Sequence, residues 1–410
     1  MKKLFICLFF SCIAVSDPLS YFAKNDYDNI SVNDHVDTEA FVRQIEYRNN
    51  RVYVVWGKAS GQGVVSCYDN YGKHIKSVEM VYLEQPIDLE AQMQVLWGSG
   101  HICIPGTCNI EGRNTAVVQK YNYSLELQTD FGEGGTFTFS DSADFYSFAS
   151  VTAAGGLGWA GGFIKTQEGE AISSVHLLIA FDLHTGEIKK HYKEADFVVG
   201  GTRSFNYIKV YHVNDHYYML GLSSTKDLFY VPLTQNSRLS LDIQVGIPID
   251  NIAFVNHEGT HLYGVDNTSN TLNYIEIYPG STEIYTVLYP HPITVPSYIF
   301  SMEVVDKHIY LGGAQQINTH PLLSTPFVER YNISNPRTPV KDTTFFDEGR
   351  WGINGLISSL PYKGFLKMLT SNPHSFLISL QNILIHGYST HGFYNTVTDL
   401  SQDKFAPFLY

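Results

Sequence analysis

The groups in this 410-residue chain that could carry chemistry are sixteen histidines, several short runs of oxygen-bearing residues and five cysteines. His212 and His216 stand four apart, and His386 and His391 five apart. A zinc centre needs three or four converging ligands. Strand side chains alternate between faces, so these spacings do not assemble such a set, and the Asn214-Asp215 turn between the first pair marks a hairpin. Asp141-Ser142-Ala143-Asp144 and the run from Asp266 to Asn270 offer oxygens of the kind calcium takes. The same residue types cap turns with their own side chains, and that is the reading adopted. No metal and no cofactor is expected.

Three cysteines follow the N-terminal segment: Cys67, Cys103 and Cys108. An odd number leaves at least one thiol unpaired. Cys103 and Cys108 flank Ile104-Pro105-Gly106-Thr107, and a Pro-Gly turn there would bring them within bridging distance. A disulfide between them and a pair of unpaired thiols in a sheet both fit the spacing. The sequence holds no Gly-x-Ser-x-Gly elbow, phosphate loop, His-Glu-x-x-His pair or dinucleotide fingerprint. Gly155-Gly156-Leu157-Gly158 and Gly161-Gly162 are rich in glycine but sit between strands, with no helix start to hold a phosphate. Close packing of sheets accounts for them. No catalytic residue is assigned.

The elements that must position these groups are strands. Tyr and Phe number 28 and 25, and with Val, Ile and Thr they suit a pleated, half-buried surface. One pattern recurs: an apolar strand, a tight polar or Gly-containing turn, a second strand ending in Gly or a small residue, then a longer loop. Its copies are Asn49–Gly57, Gly100–Gly106, Gly156–Gly161, Asn214–Gly221, Glu258–Gly264, Asp306–Gly312 and Lys363–Met368. Their ends recur every 43 to 60 residues, a period that fits propeller blades better than solenoid turns. A lone small sheet cannot bury both faces, whereas sheets around an axis give each two neighbours. The expected fold is all-β, a single β-propeller of seven four-stranded blades over residues 41–395.

Residues 1–16 have the order of a signal peptide: Lys2-Lys3, an apolar stretch from Leu4 to Ile13, and Ala14-Val15-Ser16 as a small-x-small cleavage site. So short a leader after two lysines suits bacterial export. Cys12 provides an alternative as a lipidated cysteine, against which stands bulky Phe10. Residues 17–40 form an acidic arm that could close the ring by lending a strand to the last blade, and residues 396–410 form a C-terminal tail. The net charge of −13 repels nucleic acid and anionic membrane surfaces. After leader removal no apolar run has the ~20 residues a spanning helix needs.

Two repeats resemble the delta-60 repeat, a bacterial propeller repeat in which Arg-Tyr-Asn ends a strand and leads to Leu-Asp-x-x-Phe-Gly-x-x-Gly. Here Lys120-Tyr121-Asn122 leads to Leu125-Glu126 and Asp130-Phe131-Gly132, and Arg330-Tyr331-Asn332 leads to Asp342-Thr343-Thr344-Phe345 and Gly349. An insertion precedes Phe131, and Phe346 stands where Gly would follow Phe345. The resemblance covers about a quarter of the chain, implies a propeller and supplies no activity. Asn267-Thr268-Ser269-Asn270-Thr271 is loosely similar to surface-layer propeller repeats. Asp347-Glu348-Gly349-Arg350-Trp351 resembles the Asp-box of sialidases, with Phe345 in place of Ser, Trp one residue early and no second copy.

Repeats without catalytic chemistry point to an exported monomer that binds a protein or glycan ligand; the tyrosines read first as sheet packing, with stacking surfaces for sugars as the alternative. The reading from another class is an extracellular hydrolase or lyase acting on a polysaccharide, with its paired carboxylates drawn from different blades.

Overall fold

The computed structural model describes residues 40–409, apart from breaks of at most seven residues, and every regular element in it is a strand. The leader with Cys12, the acidic arm and the Asp-box acids Asp347 and Glu348 lie outside the described residues. The protein is all-β, a propeller-like ring of small sheets.

In the first sheet Ala40–Arg48, Arg51–Lys58, Gly63–Asp69 and His74–Glu79 pair antiparallel in chain order. The same meander recurs in Asn251–Phe254, His261–Asp266, Thr271–Pro279 and Ile284–Pro292. It recurs again in Tyr298–Val305, His308–Ile317, His320–Asn332 and the short Val340–Lys341. A twelve-stranded sheet holds two such units. One is built on Ile102–Ile110 and Arg113–Tyr121. The other runs through Phe145–Ala154, Leu157–Glu168, Ala171–Asp182 and Ile188–Glu194, and a single parallel pair, Phe145 opposite Asn114, joins the two.

Hydrogen bonding thus resolves six sheets, while the seven recurring segments fall in seven successive antiparallel units. Strand number varies where four were expected. The unit Phe205–Val213, His216–Ser223 and Leu228–Leu233 has three strands, and the last sheet, from Gly364–Met368 to Lys404–Leu409, has five. That last sheet runs through the segment 396–410, expected as a tail, and its strands all come from the C-terminal part of the chain. The seventh segment, which lacks the terminal Gly, opens its sheet instead of forming a second strand.

Sheets meet through their first, inner strands. Phe145–Ala154 lies beside Phe205–Val213, Asn251–Phe254 beside Tyr298–Val305, and Gly364–Met368 between Tyr298–Val305 and Ala40–Arg48. That last neighbour closes the ring. Alternation then buries both faces of a strand. In Arg51–Lys58, Tyr53 and Val55 pack with Ile102, Ile104 and Val117 of the next unit, while Val52, Val54 and Trp56 face the other way with Val42 and Val64. Likewise Leu177 and Ile179 pack with Phe131 and Phe148, and Leu178 and Ala180 with Phe205 and Met219. Such strands read as continuous apolar runs because neither side meets water.

Four inner strands carry a bulge near the same place. Arg43, Ala149, Asn206 and Phe300 are each extra in the register against the following strand. Two of these bulges face a glycine pair, Gly161-Gly162 and Gly312-Gly313. A Cβ on Gly162 would stand 1.9 Å from the Ser147 carbonyl oxygen, so the glycine makes room for the bent backbone. Gly155-Gly156, with φ of 58° and 79°, is instead a two-residue hairpin turn, as is Asn49-Asn50 at 53° and 56°. Both turns are of the kind whose twist matches flanking strands.

The possible Cys103–Cys108 disulfide is corrected. Pro105-Gly106 is not a turn: Ile102–Ile110 runs through it as one strand, with Pro105 opposite Val118. On its other side Leu96 and Trp97 pair with Cys103 and Ile102, and Ile87 and Asp88 with Cys108 and Thr107. Pro105 occupies the gap between these partners, where its missing N–H is not called for. Five strand residues span roughly 16 Å, far beyond the reach of a disulfide, and an odd spacing puts the two thiols on opposite faces. Cys108 packs toward the first sheet and Cys103 toward the next unit. Both are free and buried, as is Cys67, and burial pushes the Cys103 thiol up to about 12.

Two outcomes follow from this packing. Gly162→Ala is expected to cost about 2 kcal/mol in urea unfolding, whereas Gly100→Ala, with nothing within 4 Å of the added carbon, leaves the midpoint unchanged. Thiol labelling should modify Cys67, Cys103 and Cys108 only after denaturation, and without reductant; labelling of Cys67 alone would mean that the other two are bridged.

Candidate functional site

The inner strands bring polar groups together around the axis. Gln44, on the first of them, accepts a hydrogen bond from the Val95 amide. Gln94 then links two further units: its amide donates to the Ala149 carbonyl (2.8 Å), its carbonyl accepts from Val151 (3.0 Å), and its side-chain oxygen accepts from Ile208 (2.9 Å). Ser150 continues the series by donating to the Phe205 carbonyl at 3.0 Å. Beside these links lies a relay, in which the Thr107 hydroxyl donates to Ser147 (2.7 Å) and Ser147 donates to a Glu90 carboxylate oxygen (2.6 Å). Arg43, the residue extruded by the first bulge, is 8% exposed. Burial pulls its guanidinium below the ordinary value, and the Glu90 charge acts in the opposite direction. A carboxylate, a guanidinium and two hydroxyls therefore meet at the inner rim.

A second cluster arises from simple alternation. In Phe205–Val213, residues Tyr207, Lys209 and Tyr211 share the face turned to the next sheet, where Ile252, Phe254 and Leu262 pack. The Lys209 ammonium nitrogen sits 4.1 Å from the Phe254 ring centroid and 5.2 Å from that of Tyr211. Tyr207 lies against Phe254 with centroids 5.8 Å apart. Burial lowers the Lys209 ammonium from its ordinary value, and among the described residues no carboxylate pairs with it. Sequence reasoning missed this cluster. Its signal was a lysine with tyrosine two residues away on either side in an apolar strand.

Other charges are engaged. Arg337 donates to both Glu276 carboxylate oxygens at 2.9 and 3.1 Å, and Lys341 pairs with buried Glu329 at 3.2 Å. Arg48 donates to the Gly98 and Trp97 carbonyls, and Lys76 to those of Ser124 and Leu125. The Arg337 guanidinium, outweighing the opposite effect of burial, holds the Glu276 carboxyl below the ordinary carboxylate range.

The residues singled out in the sequence have structural roles where they are described. His212 stacks on Tyr217 at 4.5 Å, and its strand joins that of His216 in a hairpin. His391 and the stretch Ser142–Asp144 lie outside the described residues. Asp266 accepts hydrogen bonds from the Thr268 amide (2.8 Å) and the Ser269 hydroxyl (2.7 Å), so the Asp266–Asn270 run caps its own turn.

The two copies of the Lys/Arg-Tyr-Asn segment adopt one local structure. Lys120 lies over the Phe131 ring at 5.3 Å, and Arg330 over the Phe345 ring at 4.8 Å. The Tyr121 hydroxyl donates to Gln119 and the Tyr331 hydroxyl to Glu329, two residues earlier in each case. The Asn122 and Asn332 side chains each accept the amide of the serine two residues on. In the second copy Arg330 also pairs with Asp342 at 2.8 Å. These are clasps that hold a loop on its sheet.

No family model matches the chain, and no curated protein matches it. Among solved structures, it is similar to Kluyveromyces lactis Hsv2, with 9% identity, 90% of this chain and 98% of that chain covered, and a TM-score of 0.42. It is also similar to the periplasmic gluconolactonase PpgL of Pseudomonas aeruginosa, at 8% identity, 90% and 94% coverage and a TM-score of 0.42. A third is the polysaccharide lyase Uly1, at 11% identity, 88% and 90% coverage and a TM-score of 0.40.

The Arg337–Glu276 pair gives a pH dependence with a fixed sign. A carboxyl held low in the folded state stabilises above its unfolded value, ordinarily about 4.3 for Glu, and that contribution fades as pH falls through the folded value. Melting temperatures of the protein and of Arg337→Met should differ most near neutral pH and converge below the ordinary carboxylate range. A gap that stays constant down to pH 2 would count against the pair.

Proposed function

We propose that the protein is an exported, non-catalytic propeller scaffold that binds a protein or glycan ligand. The observation that carries this reading is the contrast between charges engaged inside the fold and the Lys209 cluster. Glu276, Glu329, Asp266 and Asp342 are spent on ion pairs and turn caps. Lys209, by contrast, lies between the partly exposed Phe254 ring and the buried Tyr211 ring, without a carboxylate among the described residues. The leader sequence supports export, with anchoring through Cys12 as the alternative address. The matching clasps at Lys120 and Arg330 support the likeness to the delta-60 repeat propellers.

A second reading, a polysaccharide-active hydrolase or lyase, draws on the inner rim. Glu90 is the carboxylate there, hydrogen-bonded to Ser147 and within the field of Arg43. A glycosidase needs a second carboxyl at a defined separation from the first, and the described rim contributes Glu90 alone to the relay.

The deciding experiment screens the purified chain against envelope proteins and a glycan panel, with product analysis on every glycan that binds. Saturable binding without turnover is expected, and Glu90→Gln should leave it intact. Product that forms reproducibly and disappears in Glu90→Gln would replace the scaffold with the enzyme. Cell fractionation tests the address: the chain should leave the cytoplasm shortened by its leader.

A further inference from the structure

We propose that the cleft around Lys209 binds an acidic saccharide, with the ammonium anchoring the sugar carboxylate and the rings of Tyr207 and Phe254 taking its C–H face. This deepens the binding reading above and rests on it.

A lysine at a sheet-to-sheet contact meets two opposed demands. Its stem can lie on apolar neighbours while the ammonium reaches for water or an oxygen. Arg48, Lys76, Lys120, Arg337 and Lys341 all follow that rule and donate to a carbonyl or carboxylate. Lys209 departs from it, since its described contacts are ring faces. A cation is attracted by a ring face, yet the three donors of an ammonium are not satisfied by rings. An incoming oxygen anion would supply the missing acceptor.

A second polar group beside it is also uncommitted. Tyr211 is 7% exposed, and its hydroxyl has no hydrogen-bond partner among the described residues. Leaving such a group buried and unpaired costs about 1–3 kcal/mol in general, so a ligand oxygen that reached it would remove a standing penalty.

Access and shape narrow the ligand. Tyr207, Lys209 and Phe254 are each only partly buried, so part of both rings and of the lysine stays within reach of solvent. Inorganic phosphate would answer the charge and ignore the rings. A neutral sugar would stack and leave the ammonium unpaired. A pyranose carrying a carboxylate uses both, because sugar C–H faces suit aromatic platforms and a carboxylate suits a desolvated ammonium. The net charge of −13 opposes any anion at long range, but that repulsion is screened beyond about 8 Å at physiological salt. The contact at Lys209 is local, so a short acidic oligosaccharide is the fitting partner rather than a long polyanion.

The test compares trigalacturonate with its fully methyl-esterified form, which keeps the shape and loses the charge, by titration calorimetry on the purified chain at fixed ionic strength. A glucuronate-containing trisaccharide forms a second arm to separate the two uronate sources. Trigalacturonate or the glucuronate probe should bind at least roughly tenfold more tightly than the ester, the scale of a charged hydrogen bond. Lys209→Met, which keeps the stem, should abolish that preference, and Lys209→Arg should retain it.

A readout on the unaltered chain guards against misfolding of the variants. Reductive methylation of Lys209, followed by mass spectrometry, should slow in the presence of the acidic probe and not in that of the ester. Equal methylation with and without acid, or equal binding of acid by Lys209→Met and the parent chain, overturns the Lys209 assignment. If envelope proteins or neutral glycans still bind in that case, the scaffold reading survives alone. If nothing binds, both fall.

Discussion

The order of this molecule depends on sideways hydrogen bonds between sheets whose contact is otherwise largely apolar. Apolar packing is nondirectional, so it would allow neighbouring sheets to slide or tilt. The bulges fix them. Each one bends an inner strand, and at two of them the carbonyl of the extra residue turns out of its own ladder, toward the preceding unit. Gln94 meets the Ala149 carbonyl and Asn251 the Phe300 carbonyl at 2.6 Å, while Asn267 clips Ile299 by both its carbonyl and its amide. The glycine pairs facing two of these bulges are therefore part of how one unit is registered on the next. Gly162 could not carry a side chain without displacing the carbonyl of Ser147.

How much of this was legible in the sequence depends on the length scale. The hairpin at Asn49-Asn50 was readable, because a tight polar turn sits between apolar strands, whereas Gly155-Gly156, read as a site of close sheet packing, is itself a two-residue turn. The glycine that ends most repeats was visible as a marker, but its purpose involves a strand that precedes it in the chain and pairs across from it. Pro105-Gly106 misled for a related reason. Locally it has turn chemistry, yet it lies in a gap between two short neighbouring strands, a fact of sheet assembly that no local window contains. Lys209 was hidden differently. A single lysine in a strand looks solvated until the next sheet arrives and sets Phe254 over it.

The buried charges divide into two kinds with different consequences. Arg337 with Glu276, Arg330 with Asp342 and Lys341 with Glu329 are closed pairs; the first two tie a loop to a sheet, and the third joins two strands of one sheet. Removing one partner of such a pair strands the other, which makes them structural commitments. The rim relay of Thr107, Ser147 and Glu90 is also directional, since each hydroxyl has one proton to give and its order is set by where Glu90 lies. Lys209 belongs to neither kind. A propeller built this way can keep its frame constant while the groups along the axis and in the clefts between sheets vary.

The seam between Ala40–Arg48 and Gly364–Met368 has a kinetic meaning. Its two sides are more than three hundred residues apart in the chain, whereas each meander pairs with near neighbours. Contacts so distant in sequence are slow to form. As the chain folds, its earlier sheets can stack in order into an open arc, with the free side of Ala40–Arg48 uncovered until the last sheet docks. Until that seam closes the chain presents a greasy edge, and shielding that edge from other chains is the problem its folding must solve.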